Sequence, residues 1–246
     1  MKLGRFIQAG LRATGLELVP YPPSDWVRCR NVLRNIFRML SINCILDVGA
    51  NHGQYGETLR AIGYPDWILS FEPVSTSFDA LSQRAARDAC WRAFRFALGP
   101  SAGRAEIHVT DSDDFSSLLM PLKESQRRFP RNRVVRTETV EVRRLDEVFE
   151  ECTAGIPSPR LYLRLDTQGF DLQVLQGAER ILPNVLALQT EVSFRAIYEG
   201  MPSYAEALEA FRGQGFRVVD FMPVVRDVDQ LCAIEMDCVM ARSANW

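Results

Sequence analysis

The chain has 246 residues, 47% of them apolar and 24% charged, the ordinary make-up of a globular domain able to bury one sizeable core. Lys and Arg total 29 against 31 Asp and Glu, and a net charge of −2 offers no global field for a polyanion, so a nucleic-acid partner is disfavoured by composition. No apolar run reaches the roughly 18 residues of a membrane span, so a transmembrane segment is not expected.

Residues 1–25 are mixed and end in Tyr21-Pro22-Pro23-Ser24-Asp25, a break before any helix that follows. The first 18 residues are interrupted by Lys2, Arg5, Arg12 and Glu17 and lack the continuous apolar stretch of a secretory signal. From 26 to 40, Val32, Leu33, Ile36, Phe37 and Leu40 recur at helical spacing, with Arg28, Arg30, Arg34 and Arg38 on a solvated face. Residues 1–43 are accordingly read as a helical extension and 44–246 as the main domain. The extension would cover an acceptor pocket or make a homodimer contact.

Strand-like and helix-like segments then alternate: strand 44–48, helix 53–62, strand 67–72, helix 77–89 and strand 92–98. Two further strand patterns appear near 105–110 and 137–143, and the polar stretch 111–136 between them reads as a long mobile loop. Strand 161–166 ends in an acid, a helix over 172–182 is stopped by Pro183, and 185–192 is another strand. Ser203-Tyr204-Ala205-Glu206 is a capping box opening a helix that closes at Gly215. Two last strands, 216–221 and 233–241, have no helix between them and are expected to form an antiparallel hairpin at the sheet edge. The whole predicts an α/β domain with a mostly parallel sheet covered by helices on both faces. The six cysteines include no C-x-x-C pair and read as reduced core thiols of a cytoplasmic protein.

The sharpest local signal is Asp47-Val48-Gly49-Ala50-Asn51-His52-Gly53, placed between a predicted strand and a predicted helix. Glycine there lets backbone approach a ligand, and Asn51 tolerates the conformations glycine adopts. The next strand ends in Phe71-Glu72-Pro73, with Glu72 following Asp47 by 72 − 47 = 25 residues. An acid in that position accepts hydrogen bonds from ribose hydroxyls. The pattern D-x-G-x-N-x-G differs from the dinucleotide G-x-G-x-x-G, and an acid within it suits a ligand carrying an ammonium and a sulfonium better than a pyrophosphate. S-adenosylmethionine has those groups, and Asp47, Gly49, Ala50, Asn51, Gly53, Glu72 and Pro73 are the candidate residues for holding it.

Five segments, 47–53 (DVGANHG), 71–73 (FEP), 163–178 (LRLDTQGFDLQVLQGA), 191–200 (EVSFRAIYEG) and 215–220 (GFRVVD), resemble the FkbM family of S-adenosylmethionine-dependent O-methyltransferases. The resemblance implies a class I methyltransferase fold with a Rossmann-like, seven-stranded, mostly parallel sheet and one antiparallel edge strand. It also implies S-adenosylmethionine as methyl donor and a hydroxyl acceptor on a sugar or related small molecule or glycan. Arg164 stands where the family usually has lysine. Ser117 is a candidate near the adenosine on the resemblance alone.

Methyl transfer to a hydroxyl needs in-line positioning and removal of a proton. Asp166 and Glu191 close neighbouring strands and are expected side by side at the cofactor edge, where they would serve as a carboxylate base or hold a divalent cation such as Mg²⁺. His52, in the glycine turn, is a further candidate base. Gln168 would line the same crevice and Tyr198 would stack on a sugar ring. Two other readings stay open, a nicotinamide-dependent reductase on a similar fold and a catalytically silent S-adenosylmethionine-binding module.

Overall fold

Short apolar runs bounded by turn signals become the strands of one central sheet. In the computed structural model, which describes residues 25–227 and 230–242, these are β1 (Cys44–Val48), β2 (Trp67–Phe71), β3 (Trp91–Phe94), β7 (Leu161–Leu165), β8 (Val185–Ser193), β9 (Phe216–Asp227) and β10 (Cys232–Arg242). The seven strands lie in the order β3-β2-β1-β7-β8-β10-β9. All neighbours pair in parallel except β10, which runs antiparallel to both β8 and β9. The C-terminal hairpin therefore forms the sheet edge as its lack of a crossover helix predicts, with β10 inserted one place in from the outermost strand β9. Residues 1–24 of the expected extension lie outside the described residues.

Successive strand residues point to opposite faces, so each strand contributes to two cores. On one face Leu46, Val48, Leu69, Phe71, Leu163 and Leu188 pack with Val174 and Phe211. On the other, Ile45, Ile68, Tyr162 and Val239 pack under α1 (Asp25–Met39), whose Leu33, Ile36 and Phe37 are buried at the spacing read from the sequence. Thus α1 shares the core of the sheet. On its basic face Arg28 pairs with Asp220 and Arg34 Nε donates to the Ile62 carbonyl at 2.7 Å. Helices α2 (Gln54–Ala61) and α3 (Ser75–Ala85) follow β1 and β2.

The middle of the chain departs most from the sequence reading. Strand 92–98 divides at Phe96, which packs with Phe71 and Phe94, and its second part, β4 (Ala97–Leu98), leaves the main sheet. A separate three-stranded sheet, ordered β4-β6-β5, unites it with β5 (Gly103–Thr110) and β6 (Val134–Arg143) around Val74, Ile107, Val109, Val140 and Val142. The segment expected as a mobile loop is tied down. It forms a 3₁₀ turn at Asp113–Phe115 and helix α4 (Lys123–Arg128), and Leu122 N–H donates to the Ile197 carbonyl at 2.8 Å. Helix α5 (Leu145–Cys152), absent from the sequence reading, buries Leu145, Val148 and Cys152. The helix expected over 172–182 is only α6 (Asp171–Gln176), followed by a 3₁₀ turn at Leu182–Asn184. It stops where Gly177 meets the Gly99 carbonyl, 2.0 Å from where a Cβ would stand, a contact that sequence periodicity does not register.

The capping box forms as read. Helix α7 (Tyr204–Gly213) begins with Ser203 Oγ accepting from Glu206 N–H at 3.3 Å, while Ser203 N–H donates back to Glu206 at 2.8 Å. Ser203→Ala is expected to lower stability by about 1 kcal/mol, seen as a lower urea midpoint at constant m-value.

Candidate active site

The turn after β1 folds back onto the tip of β2, because Gly49 and Ala50 N–H both donate to the Phe71 carbonyl at 3.0 Å. Gly49 has φ +79°, and a Cβ there would stand 2.0 Å from the Asp166 carbonyl oxygen, so no other residue fits. Asn51 takes φ +48°, the glycine-like conformation its residue type tolerates. Its N–H donates to one oxygen of Glu72 at 2.8 Å, and Val74 N–H donates to the other at 2.8 Å. Both carboxylate oxygens keep lone pairs toward the cavity. Burial pushes the Glu72 carboxyl up to about 7, opposed by these two N–H donors and aided by Asp47 and Asp113.

Strand register lays a buried polar row across the sheet. Ser70, Asp47, Arg164 and Gln189 are direct neighbours on β2, β1, β7 and β8. Arg164 Nη1 donates to Asp47 Oδ1 at 2.9 Å, Ser70 Oγ donates to Asp47 Oδ2 at 3.1 Å, and the second arm of the guanidinium reaches Asp166. The guanidinium lies 4.4 Å from the centre of the Tyr55 ring, whose hydroxyl donates to Gln189 at 2.9 Å. Asp47 is 0% exposed and does not line the cavity. The expectation that its carboxylate faces the ligand is corrected here: Arg164 and Ser70 hold both its oxygens, and its contribution is to fix Arg164 and the strand ahead of the turn.

Beside the glycine turn opens a cavity of about 510 Å³, inside the roughly 300–1,000 Å³ range of small-molecule sites. Gly49, Ala50, Asn51, Glu72 and Pro73 line it as expected. Apolar walls come from Phe96, Leu98, Ile107 and Phe170. Asn51 Oδ1 is buried without a hydrogen-bond partner there, an acceptor that a bound donor would satisfy. Gly53 stands outside the lining and starts α2 with φ +88°.

Asp166, Gln168 and Glu191 meet in the lining of the same cavity. Gln168 Nε2 donates to Asp166 Oδ1 at 2.9 Å and to Glu191 Oε2 at 3.1 Å. Behind them Asp171 accepts from Thr167 N–H at 3.0 Å and from Thr190 Oγ1 at 2.6 Å, pinning the turn that carries Asp166. The Glu191 carboxyl is pushed well above the usual range by burial, then by Glu235, Asp166 and Asp237. An amide donor standing between Asp166 and Glu191 is the wrong chemistry for a cation. Among the described residues no group of three or more His, Cys, Asp or Glu side chains could hold a metal ion. The Mg²⁺ alternative at Asp166 and Glu191 therefore finds no support in the donor set.

Three other expected site residues sit differently. His52 is not among the residues lining the cavity; its Nε2 lies 3.1 Å from Asp113 Oδ2 and joins the turn to the 3₁₀ segment. Tyr198 is 1% exposed, its hydroxyl lying 2.8 Å from Gln168 Oε1 and 3.0 Å from the Phe115 carbonyl. It orients the Gln168 amide and offers no face for a sugar ring. Ser117 does line the cavity, yet its hydroxyl donates to the Gln168 carbonyl at 2.8 Å and so braces the wall. Sequence reasoning missed Arg164 as an anchor, and also Glu235, an acid at an inward position of the buried strand β10.

The buried acids imply a distinctive pH dependence. Glu72 and Glu235 are pushed up to about 7 and Asp237 to about 6, all chiefly by burial. Because the folded values lie above the unfolded ones, the folded protein holds protons that the unfolded chain has released. That contribution is complete below about pH 4 and is lost as pH rises through 6 to 7. The melting temperature of the ligand-free chain is expected to fall by several degrees between pH 5.5 and 8 in differential scanning calorimetry. The double variant Glu72→Gln/Glu235→Gln should flatten the slope.

Strand order, glycine turn, ribose-type acid and adjoining cavity together define a class I methyltransferase domain. The model of the methyltransferase FkbM domain matches residues 47–218, most of the chain. The chain belongs to the FkbM methyltransferase family, which sets aside the reductase reading. It is 26% identical over 162 residues to the 2-O-methyltransferase NoeI of Sinorhizobium fredii (strain NBRC 101917 / NGR234), a match spanning 63% of this chain and 65% of that protein. Among solved structures it overlays the magnesium protoporphyrin IX methyltransferase ChlM of Synechocystis PCC 6803, with bound SAM, at TM-score 0.47 and 8% identity, covering 88% of this chain and 81% of that one. It overlays the precorrin-6y C5,15-methyltransferase of Geobacter metallireducens GS-15 at TM-score 0.44 and 9% identity, covering 87% of each chain. Overlays this loose say nothing about substrate.

Proposed function

We propose that the chain transfers a methyl group from S-adenosylmethionine to a hydroxyl of a small-molecule or glycan acceptor, a sugar being the acceptor that best fits the distant likeness to a 2-O-methyltransferase. The observation that carries the reading is Glu72, buried to 6% exposure, each oxygen held by a backbone N–H, in the lining of the cavity beside the glycine turn. Glu72 would accept the ribose hydroxyls, Gly49 and Ala50 would let backbone come close, and Phe96, Leu98 and Ile107 would cover the adenine. S-adenosylmethionine held there would supply an electrophilic methyl group, and Asp166 and Glu191 line the same cavity. Asp166 is partnered by Arg164, whereas Glu191 receives only an amide donor, so Glu191 is the better placed of the two to take a proton. Among the described residues no helix is long and apolar enough to cross a membrane.

Methyl-labelled S-adenosylmethionine, incubated with the full chain and a panel of methyl glycosides of hexoses and deoxyhexoses, should yield a labelled methyl ether. Glu191→Gln should cut the rate by about 10²-fold or more, the usual weight of a general base. A chain that binds the donor yet labels no hydroxyl in the panel would favour a silent binding module.

A further inference from the structure

A further carboxylate lines the cavity beside Asp166 and Glu191. Glu235 projects from β10, 4% exposed, and lines the cavity together with Glu191, Asp166 and Gln168. In the antiparallel register of β8 and β10, Glu235 lies opposite Ser193 and Asp237 opposite Glu191. Residues directly opposite, and those two apart along a strand, share one face, so Glu235 and Glu191 are diagonal neighbours, a separation within reach of two glutamate side chains. Each carboxyl has one oxygen engaged by a neutral donor. Ser193 Oγ donates to Glu235 Oε1 at 2.8 Å, and Gln168 Nε2 donates to Glu191 Oε2 at 3.1 Å. Among the described residues no Lys, Arg or His makes a hydrogen bond or ion pair with either one. The cationic side chain in the lining, Arg164, is spent on Asp47 and Asp166.

We propose that Glu235 is a positioning residue for methyl transfer, placing an uncompensated carboxyl beside Glu191 so that Glu191 is made the stronger base and, once ionised, takes the proton of the acceptor hydroxyl. The inference rests on the methyl-transfer reading of the cavity. In the step it serves, the hydroxyl oxygen bonds to the methyl carbon, the methyl–sulfur electron pair passes to sulfur, and the hydroxyl proton moves to Glu191, later leaving to solvent. The groups facing Glu191 are all acidic or neutral: Glu235 and Asp237 on β10, Asp166 at the tip of β7, Asp171 on α6 and the Tyr198 hydroxyl. Burial and then Glu235 raise Glu191, while Glu235 itself is pushed up to about 7. Two like charges this close titrate as a unit. A cavity end of this sign rejects an acceptor carrying a phosphate, sulfate or carboxylate near the reacting hydroxyl, and so points to an uncharged polyol.

The test is a carboxyl titration of the full chain with glutamate side chains labelled at the carboxyl carbon, followed by NMR with and without S-adenosylhomocysteine. In the wild type, Glu191 should titrate well above the usual carboxylate range. In Glu235→Gln its transition should move down by at least one pH unit, and Glu235→Asp should return it toward the original value. In Glu191→Gln the Glu235 transition should move down likewise, so that either variant alone reports the coupling if the other does not fold. The pH at which methyl transfer to the glycoside panel falls by half should follow the Glu191 transition. Superimposable Glu191 titrations in wild type and Glu235→Gln would overturn the inference. Loss of S-adenosylhomocysteine binding with the coupling intact would instead overturn the cofactor reading.

Discussion

Glu72→Ala is expected to abolish measurable cofactor binding at concentrations that saturate the wild type. The carboxylate does two things at once. It accepts the Asn51 and Val74 N–H groups that fix the glycine turn and the start of α3, and it presents its other lone pairs to the ligand. Charge-assisted hydrogen bonds contribute about 1.5–3 kcal/mol each, so losing those to a ribose diol corresponds to roughly 100-fold or more in affinity. Thermal shift gives a direct readout. S-adenosylhomocysteine at 100 times its wild-type Kd should stabilise the wild type by about 2.7 kcal/mol and Glu72→Ala by no more than about 0.4 kcal/mol. Since Glu72 must be ionised to accept both hydroxyls and burial places it at about 7, wild-type affinity should also weaken as pH drops below 7. Undiminished stabilisation of the alanine variant would remove Glu72 from the binding site.

Arg164→Leu is expected to cost about 3–5 kcal/mol of folding stability, the penalty for leaving a buried charge without its partner. Asp47, 0% exposed at the centre of the sheet, would keep only the Ser70 hydroxyl. Burial and the neighbouring Asp166 already raise its carboxyl, and loss of the guanidinium, which opposes both, would raise it further. Urea unfolding should show the fall in stability. The double variant Asp47→Leu/Arg164→Leu should recover much of it, because an apolar pair replaces a buried ion pair at little net cost. Arg164→Lys, which retains charge but not the fork that reaches two carboxylates, should lie between wild type and leucine. A single leucine variant within 1 kcal/mol of the wild type would contradict the anchoring role.

What could be read from the sequence was whatever a local pattern determines. The glycine turn, the acid at the tip of the second strand, the α1 stripe of Leu33, Ile36 and Phe37 and the Ser203 capping box all depend on neighbours within one element and its cap. What could not be read depended on register and strand order. Asp47 and Arg164 are 117 positions apart and meet only because β1 and β7 pair with those residues in line, which turned an expected ligand contact into a structural ion pair. Glu235 reaches the cavity because β10 inserts beside β8. Tyr198 looked like an exposed platform in a loop, but the 113–115 turn closes over it and takes its hydroxyl. The 111–136 stretch is polar in composition and nonetheless ordered, since its tethers, among them backbone hydrogen bonds to the 197–199 segment and the Tyr198 hydroxyl on the Phe115 carbonyl, join residues far apart in sequence.

The central claim is that the cavity over the Gly49 turn is a site for S-adenosylmethionine. Calorimetric titration of the full chain with S-adenosylhomocysteine at pH 8 tests it most directly. Saturable heat with one equivalent bound is the expected result, and an absence of heat together with no displacement of labelled S-adenosylmethionine would contradict the assignment.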